Sequence, residues 1–169
     1  MLLKNGEIMI AWTDDQLERC SRHILLPEVG GVGQEKLLEA SVLVVGAGGL
    51  GAPMLQYLAA AGIGRIGVID DDTVDLSNLQ RQIIHRTQDI GVSKAESAAR
   101  MIRDLNPDVQ VDIYKDRITA ANALEAIQPY AIVADGTDNF ATRYLLTDAC
   151  HLAGTTLVSA ALLRVEWPL

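Results

Sequence analysis

Residues 41–51 read Ser-Val-Leu-Val-Val-Gly-Ala-Gly-Gly-Leu-Gly, and the chain then runs through A-P-M-L-Q-Y-L-A-A-A-G-I-G-R-I-G-V-I to Asp70. An apolar run, Val42 to Val45, breaks at glycines 46, 48 and 51; a helical stretch follows, and a second apolar run closes on an acid. That order suits a nucleotide. Gly46 permits a tight turn, Gly48 lets backbone approach phosphate, and Gly51 lets a helix pack close to its strand. The helix opening there aims free N–H groups and a positive dipole end at an anion. Asp70, nineteen residues after Gly51, stands where a carboxylate accepts hydrogen bonds from ribose hydroxyls.

The rest of the composition is compatible with one soluble α/β domain. The chain has 169 residues, 49% hydrophobic and only 4% aromatic, so its core must be aliphatic, as buried parallel sheets prefer. A net charge of −8 argues against nonspecific nucleic-acid or anionic-membrane binding. Cys20 and Cys150 show no C-x-x-C spacing and read as inert thiols in a reducing compartment. The sequence has no 18-residue apolar run and no signal-peptide pattern, so a cytoplasmic location is expected.

Outward from the glycine turn, residues 1–12 carry no clear pattern, and residues 1–40 are expected to form an N-terminal helical segment before a nucleotide-binding domain over 41–169. Thr13 and Gln16 resemble a capping box opening a helix over Asp14–Leu26, stopped by Pro27. Gly30, Gly31 and Gly33 read as a connector, with a short helix over 34–40. Residues 71–86 form a long polar loop of the kind that is usually functional. Ser93 and Glu96 resemble a second capping box, opening a helix to Leu105. A strand over 109–114, a short helix over 119–128, a strand at 131–134, a helix over 139–152 and a strand at 156–160 follow. Such alternation means a mostly parallel, Rossmann-like sheet with helices on both faces.

Ligands of such sheets bind at the carboxyl ends of the strands, where Gly46–Gly51, Asp70–Arg81 and Asp135–Asn139 converge. Arg81 and Lys94 are candidate phosphate cations. By spacing alone Lys94 reads as a solvated residue in a helix first turn, although the dipole there opposes a cation. Asp138 could hold magnesium or cap the helix that follows. His23, His85 and His151 share no ligand spacing and are read as surface or core histidines.

Five motifs in order, S-R-H-I-L-L, V-V-G-A-G-G-L-G, D-D-D-T-V-D-L-S-N-L-Q-R-Q, G-V-S-K-A-E-S-A and D-G-T-D-N, make the chain resemble the ThiF/MoeB group from about Asp15 to Glu166. The resemblance implies an adenylyltransferase related to the ubiquitin-activating enzymes. Its substrates would be ATP, with magnesium, and a ubiquitin-like sulfur-carrier protein of molybdopterin or thiamine biosynthesis. The carrier's C-terminal Gly-Gly carboxylate would attack the α-phosphate, giving an acyl-adenylate and pyrophosphate. It also implies a homodimer and specific roles. Gly49 would lie in the nucleotide loop, Asp70 at the ribose, and Asp72 with the nucleotide-binding set. Ser77, Asn78, Leu79, Gln80 and Arg81 would line the phosphates, and Lys94 would bind them, against the reading from spacing. Asp138 would hold magnesium with Asn139 beside it, and Arg22 would reach the triphosphate of a neighbouring subunit.

The family continues past R-x-E with G-Q, further strands and two C-x-x-C zinc pairs, whereas Arg164-Val165-Glu166 here runs into Trp167-Pro168-Leu169. A C-terminally truncated chain without the family's zinc ligands is therefore expected, its last strand leaving a sheet edge exposed. Two other readings share the glycine turn and Asp70: a NAD-binding oxidoreductase, and a nucleotide-binding remnant without catalysis. Two cations with an aspartate suit a triphosphate–magnesium pair better than a dinucleotide.

Overall fold

In a computed structural model, residues 12–160 are described, together with the backbone of two short strands, β1 (Leu2–Lys4) and β2 (Glu7–Met9). These two pair antiparallel, Leu2 opposite Met9, in a region where the sequence shows no pattern. The expected C-terminal ending, from residue 161 on, lies outside the described residues.

The central sheet has five parallel strands in the order β5-β4-β3-β6-β7: β3 is Ser41–Val45, β4 Arg65–Ile69, β5 Gln110–Tyr114, β6 Ile132–Asp135 and β7 Thr156–Ser159. The order reverses between β3 and β6, so connections leave β3 in one direction and β6 in the other. A crevice opens at that point, above the carboxyl ends. β7 pairs with β6 alone among the described residues.

Alternation along β3 explains why both faces are covered. Val42 and Val44 pack with Leu55 and Ala59 of α3 (Gly51–Ala61) and Ala98 and Ile102 of a later helix, Lys94–Leu105. Leu43 and Val45 pack on the opposite face with Ile127, Leu146 and Ala149. The aliphatic core anticipated from the scarcity of aromatics is present, with Tyr130 as an exception. Its hydroxyl is satisfied by Asp112 at 2.7 Å and Tyr114 at 3.0 Å, as a buried phenol requires.

The N-terminal capping box forms as read: Gln16 N donates to Thr13 Oγ1 at 3.2 Å and Thr13 N to Gln16 Oε1 at 3.1 Å. It opens α1 (Asp14–Ile24), which stops short of Pro27. The glycine connector needs correction. Gly30, Gly31 and Gly33 lie inside α2 (Gly30–Glu39), Gly30 entering it with φ 60°. Glycine's low helix propensity is outweighed by anchoring at buried Gln34, which bonds His23 at 3.0 Å and the Ala61 carbonyl at 2.8 Å. α4 (Lys94–Leu105) also forms, but its capping box does not: the Ser93 side chain makes no cap bond and its Oγ is buried without a partner. The expected helix over 119–128 shortens to α5 (Ala123–Ile127), because Asn122 Oδ1 accepts from Thr119 N and holds 119–122 as a turn. α6 (Phe140–Ala153) completes the fold.

Candidate functional site

A cleft of about 420 Å³ opens at the switch point. Its lining comprises Gly46, Gly48, Gly49, Leu50, Asp70, Asp72, Arg81, Gln82, Lys94, Gly136, Thr137, Asp138, Phe140 and Arg143. An adjoining cavity of about 120 Å³ shares Gly46, Asp70, Asp72 and Asp138 and adds Asn139, Asp116, Arg117 and Ile118.

Close backbone packing builds the floor. Gly46 has φ 92°, its N–H bonds the Ile69 carbonyl at 2.8 Å, and Gly136 N–H bonds the Val45 carbonyl at 2.8 Å. A Cβ on Gly51 would overlap the Gly46 carbonyl oxygen, which is the close helix–strand approach anticipated for it. In the first turn of α3, Ala52 N–H bonds the Gly48 carbonyl at 2.8 Å and Pro53 has no N–H, so Gly51 N–H is the first-turn amide left for an anion.

Asp70 fixes this loop to the next one. Its Oδ2 accepts from Ala47 N at 2.8 Å and its Oδ1 from Asp72 N at 2.9 Å. A carboxylate offers about four lone-pair sites, so capacity remains for hydroxyls of a ligand.

The cations sit across from the glycines. Lys94 is buried, and its Nζ bonds Asp72 Oδ2 at 2.8 Å. The solvated first-turn reading therefore fails. The compensation that the helix dipole demands comes from Asp72, whose side chain is 65% exposed and can yield the ammonium to a stronger anion. Arg81 is exposed, with Nη1 donating to the Ser77 carbonyl at 3.3 Å and its stem lying 3.6 Å from where a Cβ on Gly49 would sit. Ser77, Asn78, Leu79 and Gln80 are not among the cleft residues. They form the turn that delivers Arg81, closed by Asp75 N donating to Asn78 Oδ1 at 3.1 Å and Ser77 N to Asp75 Oδ1 at 2.8 Å. Bonds from Ser77, side chain first, hold the Asp75 carboxyl below its ordinary range.

At the far wall Asp138 does not cap α6. The cap of α6 is Asn139, whose Oδ1 accepts from Thr142 N at 2.9 Å. Asp138 is exposed, lines the cleft, and accepts no hydrogen bond among the described residues. Arg22 lies exposed on α1, outside the cleft of its own chain.

Sequence reasoning missed three contributors. Arg143 lines the cleft one turn into α6, donating to the Thr137 carbonyl at 2.8 Å and the Ala160 carbonyl at 2.5 Å, with buried Asp135 at 3.7 Å. Gln82 is 4% exposed at the cleft edge, and its Oε1 has no partner. Buried His85 bonds the Ala47 carbonyl at 3.0 Å and Ser97 Oγ at 2.9 Å; burial, chiefly, pushes its pKa down, against the raising effect of that carbonyl. Arg143 follows the D-G-T-D-N motif by one helical turn and was legible on that ground, whereas Gln82 and His85 depend on how residues 79–86 fold back.

Cys20 and Cys150 are buried with thiols pushed up by that burial, matching the inert reading. Among the described residues no helix is long and apolar enough to cross a membrane.

Comparison with known proteins agrees with this architecture. A sulfur carrier protein adenylyltransferase of Thermus thermophilus is 51% identical over 155 residues, 92% of this chain and 57% of the relative. The SAMP-activating enzyme E1 of Haloferax volcanii is 52% identical over 151 residues, 89% of this chain and 56% of the relative. The chain thus spans a little over half the length of these relatives. An Escherichia coli tRNA N6-threonylcarbamoyladenosine dehydratase, solved in complex with ATP, superposes with a TM-score of 0.83 at 30% identity, covering 89% of this chain and 61% of that one. The model of the ThiF family matches residues 20–166; with the parallel sheet and its switch-point cleft, that match shows that this chain belongs to the ThiF family.

Proposed function

We propose that this chain carries the ATP-binding and adenylate-forming site of an adenylyltransferase that activates the C-terminal carboxylate of a ubiquitin-like sulfur-carrier protein. The observation that supports it best is the cleft itself. Arg81 and Lys94 stand with the exposed carboxylate of Asp138 over a glycine loop, and Asp70 is beside them. The reading is supported further by the likeness to the Thermus sulfur carrier protein adenylyltransferase and by the ATP bound to the E. coli dehydratase.

In this reading Gly46, Gly48, Gly49 and Gly51 hold phosphate and Asp70 holds the ribose. Ser77, Asn78, Leu79 and Gln80 carry Arg81 to the phosphates, and Asn139 stands beside the nucleotide. Asp138 would hold magnesium: one exposed carboxylate suits an ion that keeps several waters and takes its other ligands from phosphate. The ion, when bound, would neutralise phosphate charge and polarise the phosphoryl oxygens. A carboxylate oxygen of the carrier forms the new bond to the α-phosphorus as the bond to pyrophosphate breaks. Both reactants are anions, so Arg81 and Lys94 must offset their repulsion and stabilise charge developing on the leaving group. No protein nucleophile is required.

The carriers fitting this chemistry belong to molybdopterin or thiamine biosynthesis, acting in the cytoplasm. A homodimer would let Arg22 of one copy reach the triphosphate of the other. Carrier-dependent exchange of pyrophosphate into ATP tests the proposal. Exchange is expected in the wild-type chain and absent in Lys94→Ala and Asp138→Ala. Exchange that persists in both variants would contradict the site assignment.

A further inference from the structure

We infer that His85 is a positioning residue for the phosphate-binding loop: it clamps the Ala47–Gly48 peptide so that the Gly48 N–H faces the cleft. The inference rests on the nucleotide reading above and adds to it a residue that lies outside the cleft lining.

The geometry runs through one peptide unit. Ala47 is fully buried, and its carbonyl meets His85 Nε2 at 3.0 Å. A carbonyl only accepts, so Nε2 must carry a proton in any protonation state of the ring. In a planar trans peptide the C=O and the following N–H point in opposite directions. Holding the Ala47 carbonyl towards the buried imidazole therefore turns the Gly48 N–H away from it, on the side where Gly48 lines the cleft. That N–H has no acceptor among the described residues. The preceding peptide is held as well, through Ala47 N and Asp70 Oδ2 at 2.8 Å. One carboxylate and one imidazole thus fix both sides of Ala47, and the loop's donors need not be ordered when phosphate arrives.

The imidazole is itself held. Nδ1 lies 2.9 Å from Ser97 Oγ, which lies 2.9 Å from Asp89 Oδ2, and Asp89 is fixed by Arg100 at 2.6 Å and Arg86 N–H at 3.0 Å. With a neutral ring the Ser97 hydroxyl, which otherwise donates to Asp89 Oδ2, must turn to donate to Nδ1. With a charged ring Nδ1 donates to Ser97, whose hydroxyl donates to Asp89. Both arrangements leave the Nε2–H bond to Ala47 intact, so the serine serves as an adaptable support for one tautomer.

Two amides of different reach give the test. Gln at 85 can place its NH₂ where Nε2 stands, whereas Asn reaches Ser97 but falls short of the Ala47 carbonyl. Mg-ATP affinity by calorimetry should stay within about threefold of wild type in His85→Gln and fall by about tenfold or more in His85→Asn, as expected when one hydrogen bond to a buried acceptor is lost. Thermal melts of both variants show whether folding alone separates them. Equal affinities in the Gln and Asn variants, both folded, would overturn the inference. Nitrogen-15 NMR of the wild-type imidazole, read without nucleotide, is independent of ATP. It should show a protonated Nε2 at neutral pH; an unprotonated Nε2 would refute the clamp. A wild-type chain that shows the protonated Nε2 yet binds no Mg-ATP would overturn the nucleotide reading, and the positioning role with it.

Discussion

On one side of the cleft, the loop from Gly46 to Leu50 is tied down at the Ala47 amide by Asp70 and at the Ala47 carbonyl by His85, and Ala47 is wholly buried. On the other side, the loop from Gly136 to Asn139 is held at Thr137 by Asp135 but leaves the Asp138 carboxylate exposed and without a partner among the described residues. The first loop presents backbone donors, whose value to an anion depends on not having to reorganise. The second presents a charge that, in the proposed site, would exchange water for a metal ion. Arg81 and Lys94 belong to the exchangeable side: one is exposed, and the other is parked on an exposed aspartate.

This contrast can be broken by substitutions whose effects on stability run from large to negligible. Gly51→Val should be worst, because its Cβ would overlap the Gly46 carbonyl oxygen; a loss above about 3 kcal/mol in urea unfolding is expected, with no nucleotide binding. Asp70→Ala removes the acceptor of two backbone amides and should cost about 2 kcal/mol in the same assay, with Mg-ATP affinity down at least tenfold by calorimetry. Lys94→Met retains the buried stem and releases an aspartate that is already largely exposed. Its stability should move by no more than about 1 kcal/mol, while pyrophosphate exchange disappears. Asp138→Asn should leave unfolding within about 0.5 kcal/mol of wild type and abolish the magnesium dependence of ATP binding.

The smallest effect concerns pH. Burial lowers the His85 pKa in the folded state, with Lys94 acting in the same direction and the Ala47 carbonyl, Asp70 and Asp89 opposing. The unfolded chain then binds more protons, so this contribution is complete above the ordinary imidazole value of about 6.5 and is lost as pH falls towards the lowered one. The urea midpoint of His85→Gln should fall less than that of wild type between about pH 7 and pH 5.

What the sequence made legible was whatever depends on short-range stereochemistry. The Gly46–Gly51 turn, the Thr13–Gln16 box, the strand ending on Asp70 and the alternation of strands and helices are local patterns with one good physical solution. Less legible were features decided by distant partners. The glycines at 30–33 are helical because Gln34 is pinned by Ala61 and His23. Ser93 leaves its cap unmade in spite of a correct spacing to Glu96. Lys94 is buried because Asp72, twenty-two residues earlier, returns to meet it. The bond between His85 and Ala47 spans 38 residues, a separation at which no periodicity or motif carries information. Asn139 and Asp138 could each have capped α6, and only the bond to Thr142 N distinguishes them.

The central claim is that the clamped loop and the exchangeable charges together form a site for Mg-ATP. Calorimetric titration of the chain with Mg-ATP and, separately, with NAD tests it most directly. The account predicts binding of Mg-ATP that requires magnesium and is lost in Lys94→Met, with no comparable binding of NAD. Tight NAD binding without Mg-ATP binding would contradict it.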